Sequence, residues 1–175
     1  MPVSWMFIGF LSFFFLLEGT VLQFVAPQAW GSSIVWIPQL VTSGIIIYSL
    51  YQGRKPGLIY GFCFGLIYDV VHGQAIGVYA FSTALVGYFS GLISRQLFSG
   101  STVALLTTAI CQAVHLFMSY GWFRLFNITE VPWKEAAVYH IVPSVLINMV
   151  LAYPIYRLVL WMIKRTGSRS IQLFE

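Results

Sequence analysis

The chain comprises 175 residues, of which 59% are hydrophobic, 18% aromatic and 8% charged, with a formal net charge of +4 from nine Lys/Arg and five Asp/Glu. A water-soluble domain carries about 25% charged residues, so this chain lacks the polar surface to cover itself in water, which excludes a soluble globular domain, a disordered tail and a nucleic-acid binder. Cys63 and Cys111 both lie inside apolar runs and read as free buried thiols, not as a disulfide.

A membrane-spanning helix needs roughly 20 mostly apolar residues, and six runs approach that length. The first covers residues 5–25 and ends before Pro27. No Lys or Arg precedes it and no small-residue cleavage site follows, so it is expected to be a retained helix, not a signal peptide. The second covers residues 34–51 and is closed by Gln52, Gly53, Arg54, Lys55 and Pro56. The third, 57–71, is short. The fourth covers 75–93, the fifth 102–122, and the sixth 136–163 before Lys164 and Arg165. The expected fold is therefore an all-α integral membrane protein, one domain of six transmembrane helices filling residues 1–175.

The distribution of charge orients the bundle. Arg54 and Lys55 separate runs two and three, Arg95 separates four and five, and Lys164, Arg165 and Arg169 follow run six. The opposite connections hold Arg124 and Lys134, offset by Glu130 and Glu135. By the positive-inside rule both termini are expected in the cytosol. Trp5, Trp30, Trp122, Trp133 and Trp161 fall at run ends, as an aromatic belt would.

Signatures of catalysis are missing. The sequence has no H-E-x-x-H zinc helix, no phosphate-binding G-x-x-x-x-G-K-[ST] loop, no G-x-S-x-G elbow and no C-x-x-C pair. A non-enzymatic protein without cofactor or metal is expected, one that works in the membrane or at its edge.

Two constellations remain. Gly57, Gly61, Gly65 and Asp69 recur every four residues, and Gly73 and Gly77 keep the spacing past the helix end. Four-residue spacing lines one helix face, where glycines let another backbone approach. Gly87 and Gly91 repeat the device in run four. The face could be filled from within the chain or by a partner's helix. The second constellation is ionisable: Glu18, Asp69, His72, His115 and His140 all fall in the outer half of the expected bilayer. Such groups are costly in hydrocarbon, so they should face the interior or water and pair with one another. They are either hydrogen-bonded structural groups or a binding site. A metal held by Glu18, His115 and His140 is chemically conceivable, but three separate runs give no spacing that supports one. In run six, Pro143 and Pro154 each remove a backbone hydrogen bond. Asn148 can bond across to a neighbouring helix, and Arg157 can extend its charge to the cytosolic interface.

The block from Ile37-Pro38-Gln39-Leu40, through the Gly57/Gly61/Gly65/Asp69 series, to Gly77-Val78-Tyr79-Ala80-Phe81 and Gly87-Tyr88 resembles the rod shape-determining protein MreD family. The specific element is G-[FL]-x-x-G-[FL]-x-x-D followed by a loop and L-G-x-Y, here Ile76-Gly77-Val78-Tyr79. Gln39 stands where many members have Asp or Asn. The resemblance implies a non-catalytic scaffold of the bacterial cell-elongation machinery in the cytoplasmic membrane. Such a scaffold binds MreC and through it connects MreB filaments with a SEDS-type peptidoglycan polymerase and its transpeptidase. It places MreC contacts on the Gly57/Gly61/Gly65 face and near Asp69 and His72. It also implies a fold like that of the six-helix substrate-binding subunits of energy-coupling-factor transporters, which supplies the rival expectation of a small-molecule-binding transport subunit.

Overall fold

The computed structural model describes residues 3–25, 27–31, 35–73, 75–97 and 101–165, which form helices and connections with no β strand among them. In chain order the helices are α1 (Val3–Gly19), α2 (Val21–Val25), α3 (Leu40–Gln52), α4 (Arg54–His72), α5 (Val78–Leu97), α6 (Ser101–Leu125), α7 (Trp133–Glu135) and α8 (Val142–Arg165). A π-helical turn, Ala136–Ile141, joins α7 to α8. Residue 34, Arg169 and the side chain of Arg95 lie outside what is described.

Two segments break where helices were expected to run on. The first run divides at Gly19 and Thr20. Thr20 gives both its amide and its hydroxyl to the Leu16 carbonyl, at 3.0 and 2.6 Å, a back-bonding arrangement that bends helices. The second departure is larger. The helix expected from residue 34 begins only at Leu40, and residues 35–39 are non-helical. Pro38 is the physical cause: it disfavours helical geometry at Ile37 and brings no amide proton of its own. Helix α3 has 13 residues, about 20 Å at 1.5 Å per residue, and the non-helical stretch completes the crossing of the bundle.

Helix α3 is the axis of the molecule. Residues 40–50 are all buried, and α1, α4, α5, α6 and α8 pack around them. Phe7 and Leu11 of α1 are fully buried in this core, and the Phe7 ring stacks on Tyr48 with centroids 3.9 Å apart. Gly53, at φ +94°, turns the chain from α3 directly into α4; this is a left-handed conformation that glycine adopts without steric cost.

The tightest packing joins α4 to α5. A Cβ built on Gly61 would lie 2.6 Å from the Thr83 carbonyl oxygen, and one on Gly65 would lie 2.5 Å from the Ala80 Cα. Gly57 meets Gly87 backbone to backbone, and Gly91 meets Arg54. The glycine face is therefore filled from within the chain by α5, one of the two alternatives the sequence left open, and no room is left there for a second backbone. Gly73 and Gly77 do not extend this face. Gly73 caps α4, its amide donating to the Asp69 carbonyl at 3.1 Å, and Gly77 sits in the following turn at φ +103°.

The surface inverts the pattern of a water-soluble protein. Leu58, Ile59 and Phe62 of α4, Ile110 and Phe117 of α6, and Leu146 and Val150 of α8 are exposed, whereas Ser43, Gln112, His115 and Asn148 are buried. Two described helices, Ser101–Leu125 and the continuous Trp133–Arg165, are long and apolar enough to cross a membrane. Pro154 lies inside the second.

Candidate functional site

The non-helical stretch at residues 35–39 needs partners for its backbone, because buried amides and carbonyls are costly when unpaired. Helix α8 and the π-helical turn before it supply them. Pro143 has no amide to offer the carbonyl of Tyr139 one turn earlier, and that carbonyl accepts from the Val35 amide at 2.9 Å. The Ile37 amide donates to Ser144 Oγ at 2.9 Å. Asn148 closes a pair: its Oδ1 accepts from the Gln39 amide at 3.1 Å, and its Nδ2 donates to the Ile37 carbonyl at 2.9 Å. Ser144 and Asn148, four residues apart on one face of the helix, thus hold an unwound segment in place, together with the Tyr139 carbonyl that Pro143 leaves free.

Glu18 continues this chain of partners. Its Oε2 accepts from the amides of Leu40 and Val41 at 3.1 and 3.4 Å. These are orphan donors at the start of α3, and the helix dipole there favours a carboxylate. Both bonds fall on one oxygen. The Tyr68 hydroxyl lies beside the carboxylate with no hydrogen-bond partner of good geometry.

Next to Glu18 the Gln39 side chain meets His115. Gln39 Nε2 lies 2.8 Å from His115 Nδ1, and His115 Nε2 lies 3.1 Å from Thr83 Oγ1. With the amide nitrogen donating, Nδ1 is the acceptor and the Nε2 proton faces Thr83. All three residues are buried, and Gln39 Oε1 has no partner.

These groups surround a cavity of about 210 Å³, lined by Glu18, Gln39, Tyr68, His72, Thr83 and His115, with Trp36, Pro38 and Tyr79 completing its walls. Its polar groups include an acidic oxygen, an amide oxygen and a phenol, which together can receive or share protons from a hydrogen-bond donor, and no Lys or Arg lines it.

The five ionisable residues of the sequence pattern therefore divide. Glu18, His72 and His115 line one cavity. His72, at the exposed end of α4, sits edge-on to Phe15 with centroids 5.7 Å apart. Asp69 turns away. Its carboxylate accepts from the amides of Gly77, Tyr79 and Ala80, each at 2.9 Å, and fastens the start of α5. His140 lies in the π-helical turn, where its carbonyl accepts from Ser144 Oγ, and it does not line the cavity. The three-helix metal set of Glu18, His115 and His140 is thus not assembled, and among the described residues no three His, Cys, Asp or Glu gather as a metal-binding group. Tyr68, Thr83 and Gln39 were not singled out from the sequence as cavity residues. The available signal was Pro38 followed by an amide side chain within an apolar run, the pattern of an interrupted helix.

The profile of the family described as rod shape-determining protein MreD matches residues 5–166. The rod shape-determining protein MreD of Bacillus subtilis (strain 168) is 25% identical over 118 residues, covering 67% of this chain and 69% of its own length. No solved structure gives a significant match.

Proposed function

The chain belongs to the MreD family of rod shape-determining proteins, and on that premise we propose that it is a non-catalytic, multi-pass subunit of the bacterial cytoplasmic membrane that binds MreC and supports lateral peptidoglycan synthesis. The family match along almost the entire helical bundle carries this reading. The outward apolar faces and inward polar side chains support it physically, because a bilayer asks for apolar contact outside and complete backbone hydrogen bonding throughout. In this reading the six helical passes put both termini in the cytosol. MreC links the subunit to MreB, to a SEDS-type polymerase and to its transpeptidase. Helix α5 occupies the glycine face of α4, so MreC binds elsewhere on the bundle.

The test is an affinity pull-down of the tagged chain from native membranes in mild detergent, with mass spectrometry of what accompanies it. Recovery of MreC with wall-synthesis enzymes is expected. One observation favours a second reading, a small-molecule-binding subunit of the energy-coupling-factor type: the cavity beside Glu18, with the unpartnered Gln39 oxygen in its wall. Recovery of paired ATPases and a coupling membrane protein, without MreC, would overturn the scaffold reading in favour of that one.

A further inference from the structure

A second cavity, about 330 Å³, lies between the start of α6 and the last turns of α8. Its walls carry Arg157 and Lys164, Ser101, Tyr153 and Tyr156, with Trp161 along one side. Arg157 and Lys164 are seven residues apart, which sets them on one face of α8 about 10 Å apart along its axis. Two other described cations have ring partners: Arg165 stacks on Trp161, 4.9 Å from the ring centroid, and Arg54 lies over Tyr88 at 5.9 Å. Arg157 and Lys164 have neither an ion pair nor a ring partner among the described residues.

The neutral groups point the same way. Tyr51 donates to the Tyr156 hydroxyl at 3.3 Å, and Tyr156 donates to Ser101 Oγ at 3.1 Å. This relay leaves the Ser101 hydroxyl proton free to donate into the cavity. Ser101 is the first described residue of α6, which brings the positive end of its dipole to this side of the bundle. Among the described residues no acid competes: Glu18 and Asp69 cap α3 and α5, and Glu130, before α7, and Glu135, its last residue, lie at the opposite end of the bundle. The cavity therefore combines two uncompensated cations, a hydroxyl donor and a helix start, with Trp161 and Leu160 as an apolar border.

We propose that this cavity binds a phosphate group through Arg157, Lys164 and Ser101. Two sources carry that chemistry, the head group of an anionic phospholipid in the adjoining leaflet and a soluble phosphate; the lipid source rests on the membrane reading above. The test uses the full chain purified in detergent, with native mass spectrometry during titration of phosphatidylglycerol, phosphatidylcholine or inorganic phosphate. Wild-type protein is expected to retain phosphatidylglycerol over phosphatidylcholine, and the Arg157→Gln/Lys164→Gln double variant to lose about tenfold or more of that retention. Arg165→Gln, whose side chain is stacked on Trp161, is expected to bind as wild type does. Displacement of the lipid by millimolar inorganic phosphate assigns the site to a soluble phosphate, and resistance to it assigns the site to the lipid. Equal binding by the double variant, or a wild type that takes neither phosphatidylglycerol selectively nor phosphate, would overturn the proposal. If the double variant does not fold, Arg157→Lys/Lys164→Arg should retain binding and the exposed single change Lys164→Gln should weaken it; the reverse order is equally fatal. Carbonate extraction of membranes separates the two failures, since a chain released by it undoes the membrane reading whatever the phosphate arm gives.

Discussion

Two buried carboxylates each hold the start of a helix in this bundle, and they do so in different ways. Asp69 spends both oxygens on three amides at a uniform 2.9 Å, all within the next 8 to 11 residues of the chain. Glu18 offers one oxygen to two amides 22 and 23 residues away, at 3.1 and 3.4 Å, and its neighbours Tyr68 and Gln39 each keep a polar atom without a partner. The first arrangement is saturated and local, and it works together with the glycine face that lets α5 lie against α4. The second is long-range and incomplete, and it borders a cavity. A carboxylate with both oxygens held by amides fastens; one whose second oxygen carries no amide bond can also respond to what enters beside it.

The largest expected effect lies on the saturated side. Gly61→Leu and Gly65→Leu would drive a side chain into the backbone of α5, where no flexible group can yield. Overpacking on this scale exceeds the 1–3 kcal/mol typical of small-to-large changes, so both variants are expected to be lost as monodisperse protein in fluorescence-detected size-exclusion chromatography. Gly121→Ala is the internal control: a Cβ there meets nothing within 4 Å, and stability should be held or raised by about 0.5–1 kcal/mol. A well-folded Gly61→Leu protein would mean that α4 and α5 are not packed backbone to backbone.

Asp69→Ala comes next. It strands three amides at a cost of about 1–3 kcal/mol each, and thermal unfolding in detergent should show a fall of that summed size. Asp69→Asn keeps one acceptor oxygen and should fall between the two proteins. An Asp69→Ala midpoint within a degree or two of wild type would erase the distinction drawn between the two caps.

This division also marks what the sequence could reveal. The glycine face and Asp69 were legible because a four-residue spacing is a direct imprint of helix geometry, and hydropathy marked the apolar helices. The same hydropathy could not see that residues 35–39 are unwound. Val35, Trp36 and Ile37 are as apolar as any helix, and the backbone of Val35 and Ile37 bonds to Tyr139, Ser144 and Asn148 more than a hundred residues later. Glu18, His72 and His115 were recognisable as ionisable groups at similar depth, and the fold gathers them round one cavity. Asp69 shared that depth but is consumed by its own loop, and His140 lies outside the cavity because depth says nothing of which way a helix face is turned. Gln39 and Thr83 carry no charge, so composition gave them no prominence, although their bonds to His115 determine how it is held.

A smaller effect should reach the incomplete side. Asn148→Leu removes both partners of the unwound segment at Gln39 and Ile37. Interhelical hydrogen bonds in a bilayer average about 0.6 kcal/mol, with a maximum near 1.7, so a loss of about 1–3 kcal/mol is expected. The more telling readout is hydrogen exchange. Amides of residues 35–41 should exchange faster while those of α4 and α5 keep their protection. Uniform acceleration throughout the bundle would mean that the unwound segment and the α4–α5 pair melt as one unit.

The smallest change in stability, and the sharpest test of the comparison, is Glu18→Gln. The amide keeps a carbonyl oxygen that can accept from Leu40 and Val41, so the cap survives and the unfolding midpoint should move by less than about 1 kcal/mol. What disappears is the carboxylate's second acceptor oxygen beside the cavity, replaced by an NH₂ group that can donate to the Gln39 oxygen. If the cavity takes part in rod-shape control, cells relying on this variant should become round although the protein accumulates normally and, on the proposed scaffold reading, still brings down MreC. Rod-shaped cells with a normal aspect ratio would show instead that Glu18, like Asp69, is a cap and nothing more. Asp69→Asn serves as the matched change at the saturated site. Its stability loss should be the greater of the two, and any loss of shape should track the fall in protein level, which Glu18→Gln is expected not to do.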